Sequence, residues 1–99
     1  MIEYPLNLSD PTGKPITPEA VDRCFEAAGL RVTLRGSLGM YPGCTHWHLK
    51  RGRERGTLEF TLLADGSRAW FSIQGGRTGD WLESAIDELR PSLEALARK

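Results

Sequence analysis

The chain has 99 residues, enough for one hydrophobic core and hence a single domain over residues 1–99; 39% apolar, 26% charged and 8% aromatic residues exclude a disordered or low-complexity chain. Thirteen Lys and Arg against thirteen Asp and Glu give no global attraction to nucleic acid or an anionic membrane, and no apolar run of membrane-spanning length occurs. Met1-Ile2-Glu3-Tyr4-Pro5 lacks the basic and apolar parts of a signal peptide and two cysteines are too few for a disulfide framework, so the expected setting is the cytoplasm.

Ile2, Tyr4, Leu6 and Leu8 alternate with Glu3, Pro5 and Asn7, the period of a strand with one buried face, and Pro5, lacking an N–H, confines that strand to a sheet edge. Ser9-Asp10-Pro11-Thr12-Gly13-Lys14-Pro15 reads as a loop. Thr17 as N-cap, Pro18 at the first helical position and the stripe Val21, Cys24, Phe25, Ala28 predict a first helix, which Gly29 ends. From Leu30 the period becomes two, with Leu30, Val32 and Leu34 facing the core and Arg31, Thr33 and Arg35 facing out.

After a turn-rich loop, Gly36–Gly43, three strand patterns follow: Thr45–Arg51, Thr57–Leu63 and Arg68–Gln74. Asp65-Gly66 between the last two predicts a two-residue type I′ hairpin, which pairs Leu62 with Ala69, Phe60 with Phe71 and Leu58 with Ile73 on one face, and Thr61 with Trp70 and Glu59 with Ser72 on the other. Taking Gly52–Arg55 as the preceding loop sets Trp47 opposite Phe60, Leu49 opposite Leu58, His46 opposite Thr61 and His48 opposite Glu59. Gly75-Gly76-Arg77-Thr78-Gly79-Asp80 is a glycine-rich connection without a P-loop pattern. The last helix is expected to start at Asp80 as N-cap with Glu83 at N3, to keep Leu82, Ala85, Ile86, Leu89, Leu93 and Leu96 on one stripe, and to kink or split at Pro91.

These elements make an α+β two-layer sandwich: an antiparallel sheet of four strands, five when the first is included, with two helices packed on one face. The other face is expected to be open. It would present Arg31, Thr33, Arg35, His46, His48, Lys50, Glu59, Thr61, Arg68, Trp70 and Ser72, a mixture of an apolar plate, imidazoles and cations suited to binding. The reading that follows is a small non-enzymatic binding or adaptor domain that uses this face, with an unidentified protein or a second copy of the chain as partner, no cofactor and no membrane.

Three other chemistries have candidate residues in the chain. Cys44, His46 and His48 recur at period two and are zinc-type ligands, with Glu59 facing His48; a structural zinc needs four donors, so no metal is expected, and a metal- or thiol-dependent site at these three residues, with Cys44 and His46 as thiolate and imidazole, is kept as the alternative reading. Read as catalysts, Ser72, Glu59 and His48 put the carboxylate in the middle, where a serine nucleophile needs the imidazole, so an enzyme is not expected. Residues 31–55 carry six basic groups against one acid, and Arg51, Arg53 and Arg55 form a basic loop that would serve nucleic acid.

Overall fold

The computed structural model describes residues 1–8 and 13–98. Most of the loop expected at Ser9–Pro15 therefore lies outside the described residues. The elements are β1 (Ile2–Pro5), α1 (Pro18–Ala27), β2 (Arg31–Gly36), β3 (Thr45–Lys50), β4 (Leu58–Leu62), β5 (Ala69–Ile73) and α2 (Leu82–Ala95). The strands form one antiparallel sheet in the order β1-β5-β4-β3-β2, and the fold is α+β. Neither helix is long and apolar enough to cross a membrane.

Alternation along β3, β4 and β5 sends Trp47, Leu49, Leu58, Phe60, Leu62, Ala69, Phe71 and Ile73 to one face, where they join Val21 and Phe25 of α1 and Leu82, Ala85, Ile86, Leu89 and Leu93 of α2 in one core. Phe25 sets its ring edge-on to Trp47 at 5.7 Å and to Phe60 at 5.5 Å, so the first helix is keyed to the sheet centre by aromatic geometry. The expected pairs hold: Trp47 opposes Phe60, Leu49 opposes Leu58, His46 opposes Thr61, His48 opposes Glu59, and Phe60 opposes Phe71. At the edge, β1 pairs with β5, with Pro5 opposite Trp70. The first helix starts as its residues dictate, with Ala20 N–H donating to Thr17 Oγ1 at 3.3 Å and Pro18 in the first turn. Gly29 ends it at φ +75°.

Four local expectations are corrected. The β4–β5 turn is not type I′, because Asp65 does not have positive φ. Leu63 pairs with Arg68, Gly66 N–H donates to Leu63 O at 2.9 Å, and Gly66 alone takes φ +71°, giving a four-residue loop, Ala64–Ser67, that preserves the register. A β-carbon on Gly66 would lie 2.6 Å from Ile16 O, so packing under the loop selects this turn.

In β2, the register shifts between Val32 and Leu34, with Val32 opposite Leu49 and Leu34 opposite His48. Thr33 is the extra residue of a bulge, and its hydroxyl donates to His48 O at 3.3 Å. Leu34 is thereby turned to the outer face, 47% exposed, and Arg35 to the helix side, reversing the expected assignment.

Helix α2 starts at Leu82 with Trp81 before it in helical geometry and no side-chain cap, so Asp80 does not fill the capping role. Trp81 is held from elsewhere: its indole N–H donates to Arg55 O at 2.9 Å. The helix also runs on through Pro91 to Ala95 as one element, so of the kink or split expected there the split does not occur.

Candidate functional site

The outer face is less bare than alternation implies. His46, Glu59, Thr61, Trp70 and Ser72 are all buried. The segment between β2 and β3 folds back over them through two linked turns, Tyr41 N–H donating to Leu38 O at 3.1 Å and Cys44 N–H to Tyr41 O at 3.0 Å, while Leu38 N–H donates to Cys44 Sγ at 3.3 Å. Tyr41 meets Trp70 edge-to-face at 5.3 Å, and the Arg68 guanidinium lies over the same indole at 5.6 Å. The exposed plate expected at Trp70 is therefore corrected to a covered one, with tyrosine and arginine packed on its indole.

Under this partial roof a cleft of about 360 Å³ opens, with Leu38, Met40, Tyr41 and Trp70 on its apolar side and His46, Glu59, Thr61 and Ser72 on its polar side. Met40 on its rim is 80% exposed.

The polar floor is a connected network. Period two on β3 and the β3–β4 register bring His46, His48 and Glu59 together. His46 Nδ1 lies 2.8 Å from Thr61 Oγ1, and His46 Nε2 lies 3.0 Å from Glu59 Oε1. His48 Nε2 is 3.5 Å from the same oxygen, and Arg77 Nη1 donates to Glu59 Oε2 at 3.4 Å. A buried carboxylate is costly unless paired, and here two imidazoles and a guanidinium converge on it. With neutral His46, the Thr61 hydroxyl donates to Nδ1 and the Nε2–H donates to Glu59, which satisfies every partner. In the opposite tautomer the Nε2 lone pair faces the carboxylate, an arrangement only a cation between them stabilises. Burial holds the His48 imidazole below its ordinary pKa, against the opposing pull of the Glu59 charge.

The imidazole is thus in the middle of a Thr61–His46–Glu59 chain. Thr61 is buried within the sheet, and its hydroxyl is engaged by His46 Nδ1 at 2.8 Å. Cys44 is also buried, with its sulfur accepting the Leu38 amide, and it is outside the His46–His48–Glu59 cluster.

The remaining expected residues are dispersed. Arg35 leaves the outer face and meets Asp22 at 3.3 Å and Glu19 at 3.6 Å on α1, its guanidinium over Trp47 at 5.6 Å. Thr33 is spent on the bulge. Arg31 donates to Gly52 O at 3.4 Å and Lys50 to Gly56 O at 2.9 Å. In the basic loop, Arg51 pairs with Glu54 at 2.6 Å and covers Trp81, so of the six basic residues of segment 31–55 only Arg53 and Arg55 have uncommitted side chains among the described residues.

Arg77, Tyr41 and Leu38 belong to the site without having been singled out for it. Arg77 carried no local signal, because its reach to Glu59 depends on a loop crossing in which Thr57 N–H donates to Arg77 O at 3.0 Å. The aromatic Tyr41 inside a turn-rich loop was the one available hint of a roof. No protein-family model matches this chain, and neither a curated protein nor a solved structure does, so the functional argument rests on the geometry of this face.

Proposed function

We propose that the chain is a non-enzymatic binding domain that seats a small planar molecule in the cleft between the 37–44 segment and the outer face of the sheet. One observation carries this reading: the cleft sets an apolar wall of Leu38, Met40, Tyr41 and Trp70 beside hydrogen-bonding groups of His46, Glu59, Thr61 and Ser72. Small-molecule sites have this composition, and roughly 300–1,000 Å³ is their usual size. A planar body would lie along the aromatic wall with its polar edge on the floor. The two thiols, Cys24 and Cys44, are unpaired, which supports a cytosolic setting.

The test is chemical-shift mapping on the ¹⁵N-labelled chain with nicotinamide and indole carboxylate as probes. Saturable shifts at the Trp70 indole N–H and the Tyr41 amide are expected, and the Tyr41 shift should vanish in Trp70→Ala. Shifts confined to other surfaces, or none at millimolar probe, reject the reading.

Self-association through the same face is the second reading, favoured by Leu34 and Met40, which remain exposed there. Sedimentation of the free chain separates the two: a dimer mass that reverts to monomer in Leu34→Ser supports self-association, and a monomer at all concentrations leaves the small-molecule reading.

A further inference from the structure

We propose that His46, His48 and Glu59 form a binding site for a divalent transition-metal ion of zinc type. The proposal deepens the binding reading above, on which it rests only for what occupies the open side of the ion.

The donor set comes first. One ring nitrogen from each of His46 and His48 and one carboxylate oxygen of Glu59 lie within 4.8 Å of one another. Both imidazoles approach the same carboxylate oxygen, at 3.0 Å and 3.5 Å. A tetrahedral ion with bonds of about 2.1 Å holds neighbouring ligands about 3.4 Å apart, so the donors already stand near the required separation. Two imidazoles and one carboxylate are the donor types of zinc and its first-row neighbours, whereas calcium and magnesium prefer all-oxygen shells.

Preorganisation is the second argument. The three residues sit on adjacent hydrogen-bonded strands in fixed register, His48 directly opposite Glu59 and His46 two residues along on the same face. Two of the three ligands also have a partner that aims them. Thr61 Oγ1, 2.8 Å from His46 Nδ1, can accept the Nδ1–H and so leave the Nε2 lone pair for the ion. Arg77 holds the far oxygen of Glu59 at 3.4 Å, which leaves Oε1 as the ligating oxygen.

Binding balances without loss of a proton from a neutral imidazole. The hydrogen carried on His46 Nε2 is replaced by the metal–nitrogen bond, a hydrogen is carried on Nδ1 instead, and the Thr61 hydroxyl rotates from donor to acceptor. Three protein ligands leave a coordination position for water or for a donor atom of a ligand. His46 and Glu59 both line the cleft, so the ion would border it and give a cleft ligand an anchoring point. Thr61 is a positioning residue in this scheme, acting through His46.

The experiment uses the full chain without a histidine tag, stripped with EDTA and titrated with zinc chloride by calorimetry and with cobalt chloride by visible absorption. One equivalent of each ion should bind, and the cobalt form should show the intense visible bands of a low-coordinate site. His48→Gln and Glu59→Gln should each weaken zinc binding at least about tenfold, and Thr61→Val about tenfold with a changed cobalt spectrum. Absence of saturable one-equivalent uptake by the unmodified chain overturns the proposal, and so does unchanged affinity in His48→Gln. Should Glu59→Gln fail to fold, His48→Gln decides alone, since His48 is only half-buried. Repeating the nicotinamide and indole carboxylate mapping on stripped and zinc-loaded protein separates the two readings. Probe shifts without zinc uptake sink the metal site alone, and zinc uptake without probe shifts sinks the planar-ligand reading alone.

Discussion

The indole N–H of Trp47 donates to Asp22 Oδ1 at 2.7 Å, tying the fully buried tryptophan of the central sheet to the middle of α1. The same oxygen accepts from Arg35 at 3.3 Å. Removing the acceptor strands a buried donor, and that costs about 1–3 kcal/mol; the partly exposed ion pair with Arg35 contributes little. Asp22→Ala is expected to lose stability in that range by urea unfolding, whereas Asp22→Asn, which keeps an acceptor but no charge, should lose much less. Equal losses would assign the effect to the ion pair instead.

A β-carbon at Gly79 would lie 1.8 Å from Arg55 O, while one at Gly75 would have nothing within 4 Å. Both backbones are free of positive φ, so the two sites differ in space alone. Gly79→Ala should cost about 3 kcal/mol or more by displacing a backbone crossing, and Gly75→Ala should stay within about 0.5 kcal/mol. Thermal melts of the pair give a direct comparison.

Asp65 accepts the Ser67 hydroxyl at 2.6 Å and the Ser67 amide at 3.0 Å, and these bonds hold its carboxyl below the ordinary range. A depressed folded-state pKa contributes stability that is present above the unfolded value and lost as pH falls through the folded one. Ser67→Ala removes the larger of the two bonds. It should raise the Asp65 pKa toward its ordinary value in an NMR titration and flatten the acid limb of stability; an unmoved pKa would assign the effect to the amide alone.

Tyr41 supplies one side of the cover over Trp70. Tyr41→Ala should increase acrylamide quenching of tryptophan fluorescence, with Trp47 and Trp81 remaining buried as internal references, and should remove an aromatic pair worth about 0.5–1.5 kcal/mol beyond its area. Unchanged quenching would show that Arg68 and the strands suffice as the cover.

Period-two alternation made the β3–β4–β5 ladder legible, and with it the meeting of His46, His48, Glu59 and Thr61, because a one-residue slip would have moved Trp47, Phe60 and Phe71 to the wrong face. The same rule misplaced Leu34 and Arg35. A bulge at Thr33 has no glycine or proline to mark it, and what favours it is tertiary: Asp22 and Glu19 on α1 receive Arg35. The roof over Trp70 left a single hint. Gly36 to Gly43 shows turn chemistry with the aromatic Tyr41 inside it, and what places that ring is an indole 29 positions further along the chain. Arg77 reaches Glu59 for a comparable reason, since beside the local bond of its amide to Gln74 O its loop is anchored by the distant Thr57.

Gly56 and Gly79 press the two loops together so closely that neither tolerates a side chain at the junction. The Arg-rich turn and the stretch carrying Arg77 are therefore constrained as one unit: an insertion in either would lift Trp81 from its seat on Arg55 and draw the guanidinium off Glu59. Anyone transplanting this face onto another scaffold has to move both stretches together as a single cassette.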